Sequence, residues 1–323
     1  MRLQFKMSAP LVADDEIAAV SRIVSTIEDG WHDWAGPDPD QGDLDLYYVQ
    51  NPTHRELLTK SYVAALAYGQ ERVRVLSVLL GEDPLDPDEM TLEIAVHFLR
   101  QPLEVLVENA RNDGTFYLAC IQAIDGSLAN RFRGMHPAAV FGQGGGKSEV
   151  RKLIRHRFET ALSTGAPPPR FFLLLDSDSR FPQHLDSDSL ELKKVCDEFD
   201  VPLTLLQKRS IENYISDAQL LEYATKYPAV RPSVEFLISL TPEQRDHYPI
   251  KSGFEMRGDQ PIGHSDQERS LYAGVAWPNV ARKLPRLAAH VLALPTPIRL
   301  DDLQSRNAID EMNVLAARLN EEI

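Results

Sequence analysis

The stretch Arg170-Phe-Phe-Leu-Leu-Leu-Asp-Ser-Asp-Ser-Arg180 limits what this chain can fold into more than any other. Phe171 to Leu175 is an unbroken apolar run, the pattern of a strand covered on both faces, as in a parallel sheet between layers of helices. Two carboxylates, Asp176 and Asp178, follow at once, alternating with Ser177 and Ser179. Open α/β sheets place their ligands at the carboxyl ends of their strands. Residues two apart in extended chain point the same way, so the spacing predicts that Asp176 and Asp178 converge. Like charges held together are costly unless a cation lies between them, and an all-oxygen ligand set suits Mg²⁺, Mn²⁺ or Ca²⁺. Asp and Ser are equally at home in helix N-caps and turns. The stretch alone therefore leaves metal binding and capping both open.

Around it strands and helices alternate. Leu103 to Val107 reads as a short strand ending at Glu108, and Asp113 to Ile124 as a helix that Asp113 caps. Ala138 to Phe141 reads as a second strand running into Gly142-Gln-Gly-Gly-Gly-Lys-Ser148, and Glu149 to Leu162 as an amphipathic helix. Gly165 and three prolines break the chain before the central strand. A helix around Leu190 to Phe199 and a fourth strand, Val201 to Leu206, follow it, and that strand delivers Lys208-Arg-Ser-Ile-Glu-Asn-Tyr214. Alternation of this length predicts an α/β fold with a mostly parallel, Rossmann-like sheet flanked by helices. Right-handed crossovers then bring Glu108, the glycine loop, Asp176, Asp178 and the Ser210–Glu212 segment to one edge. Four carboxylates there favour a divalent-metal site over four separate caps, and acids around Mg²⁺ are apparatus for phosphodiester chemistry.

The flanks read differently. Residues 1–102 are expected to be mainly helical, with helices over Asp14 to Ile27, from Asn51 onward and over Met90 to Leu99. A turn lies at Pro84, Pro87 and Asp88, and a solvated acidic loop holds Glu28, Asp29, Asp33, Asp38, Asp40, Asp43 and Asp45. Residues 255–323 are again expected to be helical. Both flanks read as scaffold or docking regions around a core at 103–254. No apolar run approaches the ~20 residues of a membrane span, and no signal peptide is visible, so the cytoplasm is the expected location. A formal charge of −14 over 323 residues excludes a protein that coats nucleic acid by bulk electrostatics. Cys120 and Cys196 lack ligand spacing and read as buried free thiols. The histidines are scattered and read mostly as surface residues, while Trp277 reads as core.

The core resembles the TOPRIM domain, and more closely its branch in the OLD-like nucleases (overcoming lysogenization defect). The resemblance rests on Val105-Leu-Val-Glu108, Gly144-Gly-Gly-Lys-Ser-Glu149, Asp176-Ser-Asp178 and Gln207-Lys-Arg-Ser-Ile-Glu-Asn-Tyr214. It implies a nuclease that hydrolyses phosphodiesters in DNA or RNA with Mg²⁺ or Mn²⁺, two ions in all. On it, Asp176, Asp178, Ser210 and Glu212 are metal-site residues, Glu108 binds metal or moves a proton, and Lys251 is the late catalytic lysine. Glu108-Asn109 stands where Glu-Gly is usual. The resemblance further implies an anti-phage defence effector, acting with a separately encoded ABC-type ATPase or as a homo-oligomer.

Two other readings stay open. Ala138 to Ser148 looks like strand, phosphate loop and helix, as in a P-loop nucleotide hydrolase. However, GxxxxGK[ST] needs glycine where Phe141 stands, and the loop from Gly142 is one residue short. A catalytically silent TOPRIM-shaped interaction module is the other. For the nuclease reading, Lys147, Arg151, Lys152 and Arg155, with Arg131 and Arg133, are expected to form a basic rim that contacts phosphates without reading sequence.

Overall fold

Alternating burial along the central strand sets the layering. In the computed structural model Phe172 and Leu174 enter one hydrophobic cluster, and Phe171, Leu173 and Leu175 enter another across the sheet. That is the period of two of a strand with both faces covered. Burying five such side chains contributes roughly 1.5–3 kcal/mol each. The structure describes residues 1–323 apart from 8–12, 40–43, 68–73, 81–82, 87, 255, 258–259, 262–264, 276–282, 286 and 295. Asp40, Asp43, Pro87 and Trp277, all given a place from the sequence, lie outside the described residues.

The chain opens with β1 (Arg2–Met7), α1 (Asp14–Glu28), β2 (Asp33–Gly36), α2 (Asp45–Gln50) and α3 (Pro52–Ala67). It continues through β3 (Val75–Leu80), β4 (Glu89–Thr91) and α4 (Leu92–Phe98). The central part comprises β5 (Leu103–Val107), α5 (Asn112–Ile124), α6 (Gly126–Asn130), β6 (Ala139–Gln143), α7 (Lys147–Thr164), β7 (Phe171–Leu175), α8 (Ser187–Glu198) and β8 (Leu203–Leu205). A 3₁₀ turn at Ile211–Tyr214 leads into α9 (Asp217–Lys226), α10 (Arg231–Ser239) and α11 (Pro242–His247). After a two-stranded antiparallel ladder of β9 (Met256–Arg257) and β10 (Gln260–Pro261) come α12 (Asp266–Leu271), α13 (Leu287–Leu292), α14 (Leu300–Ser305) and α15 (Ile309–Glu322).

The fold is α/β, with two four-stranded, wholly parallel sheets flanked by helices. The orders are β2-β1-β3-β4 and β6-β5-β7-β8, so both sheets turn back on themselves between their first and third strands. That reversal is where parallel sheets open a crevice for ligands. In the second sheet it falls between β5 and β7, the strands that end at Glu108 and Asp176.

The first sheet corrects the expectation that residues 1–102 are mainly helical. Its strands are only 3–6 residues long and lie between longer helices whose periodicity dominates any window. β2 is hidden in the acidic stretch expected to be a solvated loop, yet Trp34 is fully buried there. β4 merges in sequence with the helix that follows it.

The C-terminal region is also more than a flank. Met312, Leu315, Ala316 and Leu319 of α15 share one core with Leu103, Val105, Phe116, Tyr117 and Phe172. On the other face Val150 and Ile154 of α7 and Leu192 and Val195 of α8 pack on Leu106, Leu173 and Leu175. Cys120 and Cys196 are buried free thiols, as expected. His32 and His247 are buried, against the surface placement read for most histidines.

Candidate active site

Beyond Val107 the chain turns outward at Glu108, and the end of β6 is stitched to it. The Gly144 N–H donates to the Val107 carbonyl at 2.8 Å and the Gly145 N–H to the Glu108 carbonyl at 3.2 Å. The Gln143 side chain donates to the same Glu108 carbonyl and accepts from the Ala110 N–H at 3.0 Å. Only glycine fits at 144, where a Cβ would lie 2.7 Å from Val150 Cγ2 and 3.1 Å from the Val107 oxygen. The glycine loop is therefore a tight turn that seats α7 against β5.

Asp176 ends β7 and is almost wholly buried. Its Oδ1 accepts from the Ile211 N–H at 3.1 Å, and its Oδ2 lies 3.2 Å from Lys251 Nζ. The same ammonium is 3.3 Å from Glu212 Oε2, which also accepts from Ser210 Oγ at 2.9 Å. Burial pushes the Asp176 carboxyl well above its ordinary range; Lys251 opposes this, while Glu212, Glu108 and Asp113 add to it. Burial likewise raises Glu108, reinforced by Asp178 and opposed by Lys251. It raises Asp113 too, against the Asn109 N–H bond and Lys251, with Glu212 adding. For Lys251, burial works against the charge, but Asp176 and Glu212 outweigh it and hold the amine above its usual value. One lysine thus lies at the centre of mutually repelling acids.

Asp113 is not the cap expected of it: α5 begins at Asn112, with Arg111 at the N-cap position, and Asp113 lies in the first turn, where it reaches back to accept the Asn109 N–H at 2.8 Å. It also belongs to this electrostatic group, which its sequence context did not reveal.

Asp176 and Asp178 do not point at the same contact. Asp178 takes a left-handed φ of 55°, which breaks the extended geometry that the i, i+2 argument assumed. Its Oδ2 receives Lys147 Nζ at 2.7 Å, and that ammonium also contacts Asp186 Oδ2 and the Ser177 carbonyl, each at 3.2 Å. Lys147 is buried in this arrangement and is not part of a rim. The rest of the expected basic rim is also committed elsewhere. Arg151 pairs with Asp188 at 3.0 Å, Lys152 with Glu149 at 2.8 Å and Arg155 with Glu198 at 2.8 Å. Arg131 donates to the carbonyls of Gly30 (at 3.1 Å) and Trp31, and Arg133 to Gln122 at 2.7 Å. Helical periodicity puts such side chains on an outer face but cannot show which neighbouring carboxylates will take them.

Behind the acids lies a polar layer that sequence reasoning missed. Asn213 is fully buried; its Oδ1 accepts from Ser210 N (3.0 Å) and lies 2.8 Å from Ser210 Oγ, an alternative acceptor for the hydroxyl that Glu212 shares. Its Nδ2 donates to the Arg245 carbonyl (2.6 Å) and the Tyr248 carbonyl (2.9 Å). It thereby ties the Ser210–Glu212 turn to the segment carrying Lys251. Glu311 of α15 accepts the Gln207 N–H and the Tyr214 hydroxyl, both at 2.7 Å. Asp246 takes Lys208 Nζ at 2.6 Å and Arg306, whose guanidinium also donates to the Asn213 carbonyl at 3.1 and 3.2 Å. The only sequence signal for this layer was the density of polar residues in Gln207–Tyr214.

Glu108, Asp113, Asp176, Glu212 and Ser210 offer oxygen donors alone, the chemistry of a hard divalent ion. Among the described residues no three His, Cys, Asp or Glu side chains lie together closely enough to hold one ion, and Lys251 stands between Asp176 and Glu212. The donor set fits a hard cation chemically, and Lys251 offsets only part of the repulsion among these acids. Comparison with known proteins returns no significant match to a family model, a curated protein or a solved structure. Among the described residues no helix is long and apolar enough to cross a membrane.

Proposed function

We propose that the chain is a divalent-metal-dependent nuclease of the TOPRIM, OLD-like kind, hydrolysing phosphodiester bonds in DNA or RNA. The observation that carries the reading is the buried pair Asp176 and Glu212, bridged by Lys251 at the reversal point of a parallel sheet, with Glu108 and Asp113 adding charge. Asp176, Glu212 and Ser210, together with Glu108 and Asp178, would hold Mg²⁺ or Mn²⁺, two ions in all. Bound there, such ions lower the pKa of an attacking water and neutralise charge on the leaving oxygen.

The chain's own residues do the rest. Glu108, raised by burial and by Asp178, is a stronger base than a free glutamate and is suited to accept a proton. Lys251, half exposed, presents an ammonium from the same position to the extra negative charge of a phosphoryl transition state. Lys147 holds Asp178 in its left-handed turn. Its burial among carboxylates disfavours the phosphate-loop reading, which needs that amine free for a nucleotide. By the same resemblance the protein acts in the cytoplasm as an anti-phage effector, beside an ABC-type ATPase or as a homo-oligomer.

The test is cleavage of single- and double-stranded DNA and RNA with Mg²⁺ or Mn²⁺. Activity should stop in chelator, and Asp176→Asn should abolish it while the protein stays folded, because asparagine keeps the shape and loses the charge. Undiminished cutting by folded Asp176→Asn would falsify the site.

A further inference from the structure

The expected phosphate-binding cations are neutralised, so the substrate needs others. Arg180 follows the acid turn of β7 directly. Its guanidinium is exposed, and among the described residues it has no hydrogen bond or ion pair. Arg209 follows β8, and its carbonyl accepts the Asp178 N–H at 3.0 Å. Its guanidinium reaches only the His247 carbonyl, at 3.4 Å, and among the described residues no carboxylate within ion-pair distance. Burial works against the Arg209 charge, Asp178, Tyr272 and Glu268 offset part of that cost, and Arg180 adds a smaller repulsion. Two guanidiniums with no carboxylate within ion-pair distance among the described residues, next to a candidate phosphodiesterase site, are suited to an anion from outside the chain.

The next residues carry flat rings. Phe181 and His184 lie 4.7 Å apart across a tight turn that the His184 N–H closes on the Phe181 carbonyl at 3.1 Å. Gln183 takes a left-handed φ of 62° to make that turn. Phe181 also walls an open groove of about 710 Å³ together with Pro182, Glu243, Asp266 and Ser270. Its two carboxylates turn phosphate away and accept hydrogen bonds, so the groove suits the base rather than the backbone of a nucleotide.

We infer that Arg180 and Arg209 form a phosphate clamp and Phe181 with His184 a base-stacking platform, so that the bound substrate is a single strand. In a duplex both faces of each base are already stacked, and an aromatic platform can use only a base that is free. The inference rests on the nuclease reading for the class of ligand, but its test is binding without cleavage.

The probes are a fluorescein-labelled 20-nucleotide DNA, its RNA equivalent, and each annealed to its complement. Anisotropy is measured in chelator with the full chain across a salt series. At least one single strand should bind about tenfold more tightly than its duplex. Phe181→Ala should weaken single-strand binding about tenfold and duplex binding less than about twofold. Arg180→Ala with Arg209→Ala should reduce the slope of log affinity against log salt by about 1.4, or about 0.7 for each phosphate no longer held. Exposed Arg180→Ala alone should remove about 0.7 if the double variant does not fold. Duplex preference, or single-strand affinity untouched by Phe181→Ala with an unchanged salt slope, overturns the inference. Binding that behaves as expected in a protein that never cuts would sink the nuclease reading and leave this one standing. Cleavage with binding indifferent to these residues would do the reverse.

Discussion

Replacing Lys251 with Met removes the one ammonium that bridges Asp176 and Glu212 and leaves its stem in place. At 3.2 and 3.3 Å each contact has a Coulomb energy of about 5 kcal/mol at an effective dielectric near 20. The lysine side chain is 49% exposed, so water screens much of this, and each carboxylate keeps one hydrogen bond, from the Ile211 N–H or Ser210 Oγ. A loss of about 2–3 kcal/mol at pH 8 is expected, below the 3–5 typical of a fully buried pair. The pH dependence carries the sharper test. Asp176 binds its proton more tightly folded than unfolded, so stability falls as pH rises above the ordinary Asp value and through its raised folded one. Without Lys251 that folded value rises further, and the deficit of Lys251→Met should widen from pH 5.5 to pH 8. Urea unfolding followed by circular dichroism in chelator measures it. Adding Asp176→Asn to Lys251→Met should recover most of the loss at pH 8. A deficit of the same size at both pH values, or no recovery in the double variant, refutes the reasoning.

Two further outcomes probe the layer behind the acids. Asn213→Ala strands the Ser210 N–H and the Arg245 and Tyr248 carbonyls, and should cost roughly 3 kcal/mol in thermal unfolding. A loss below about 1 kcal/mol would mean that water or rearrangement replaces those bonds. Glu311→Ala should destabilise by about 1–2 kcal/mol and slow cleavage, because Gln207 and Tyr214 lose their shared acceptor. Full activity in a C-terminally truncated chain lacking α15 would show that the helix is not part of the site.

The sequence by itself was enough for the central sheet and for most of the acids. Phe171 to Leu175, an apolar run ending in Asp-Ser-Asp, is legible because burial on both faces and a polar end are local properties. The same holds for Glu108 after Leu103–Val107 and for Ser210–Glu212 after β8. The first sheet was not legible, because strands as short as Asp33–Gly36 and Glu89–Thr91 lie within patterns of longer range. Which charges meet was decided only by the tertiary structure. Lys251 reaches Asp176 across 75 residues, a left-handed Asp178 is drawn to Lys147, and Arg151 and Arg155 close on Asp188 and Glu198 of the neighbouring helix. A side chain's type and period say that it carries charge on a given face. Its partner depends on which distant segment the core brings within about 3 Å, the range of a hydrogen bond, and no local pattern encodes that.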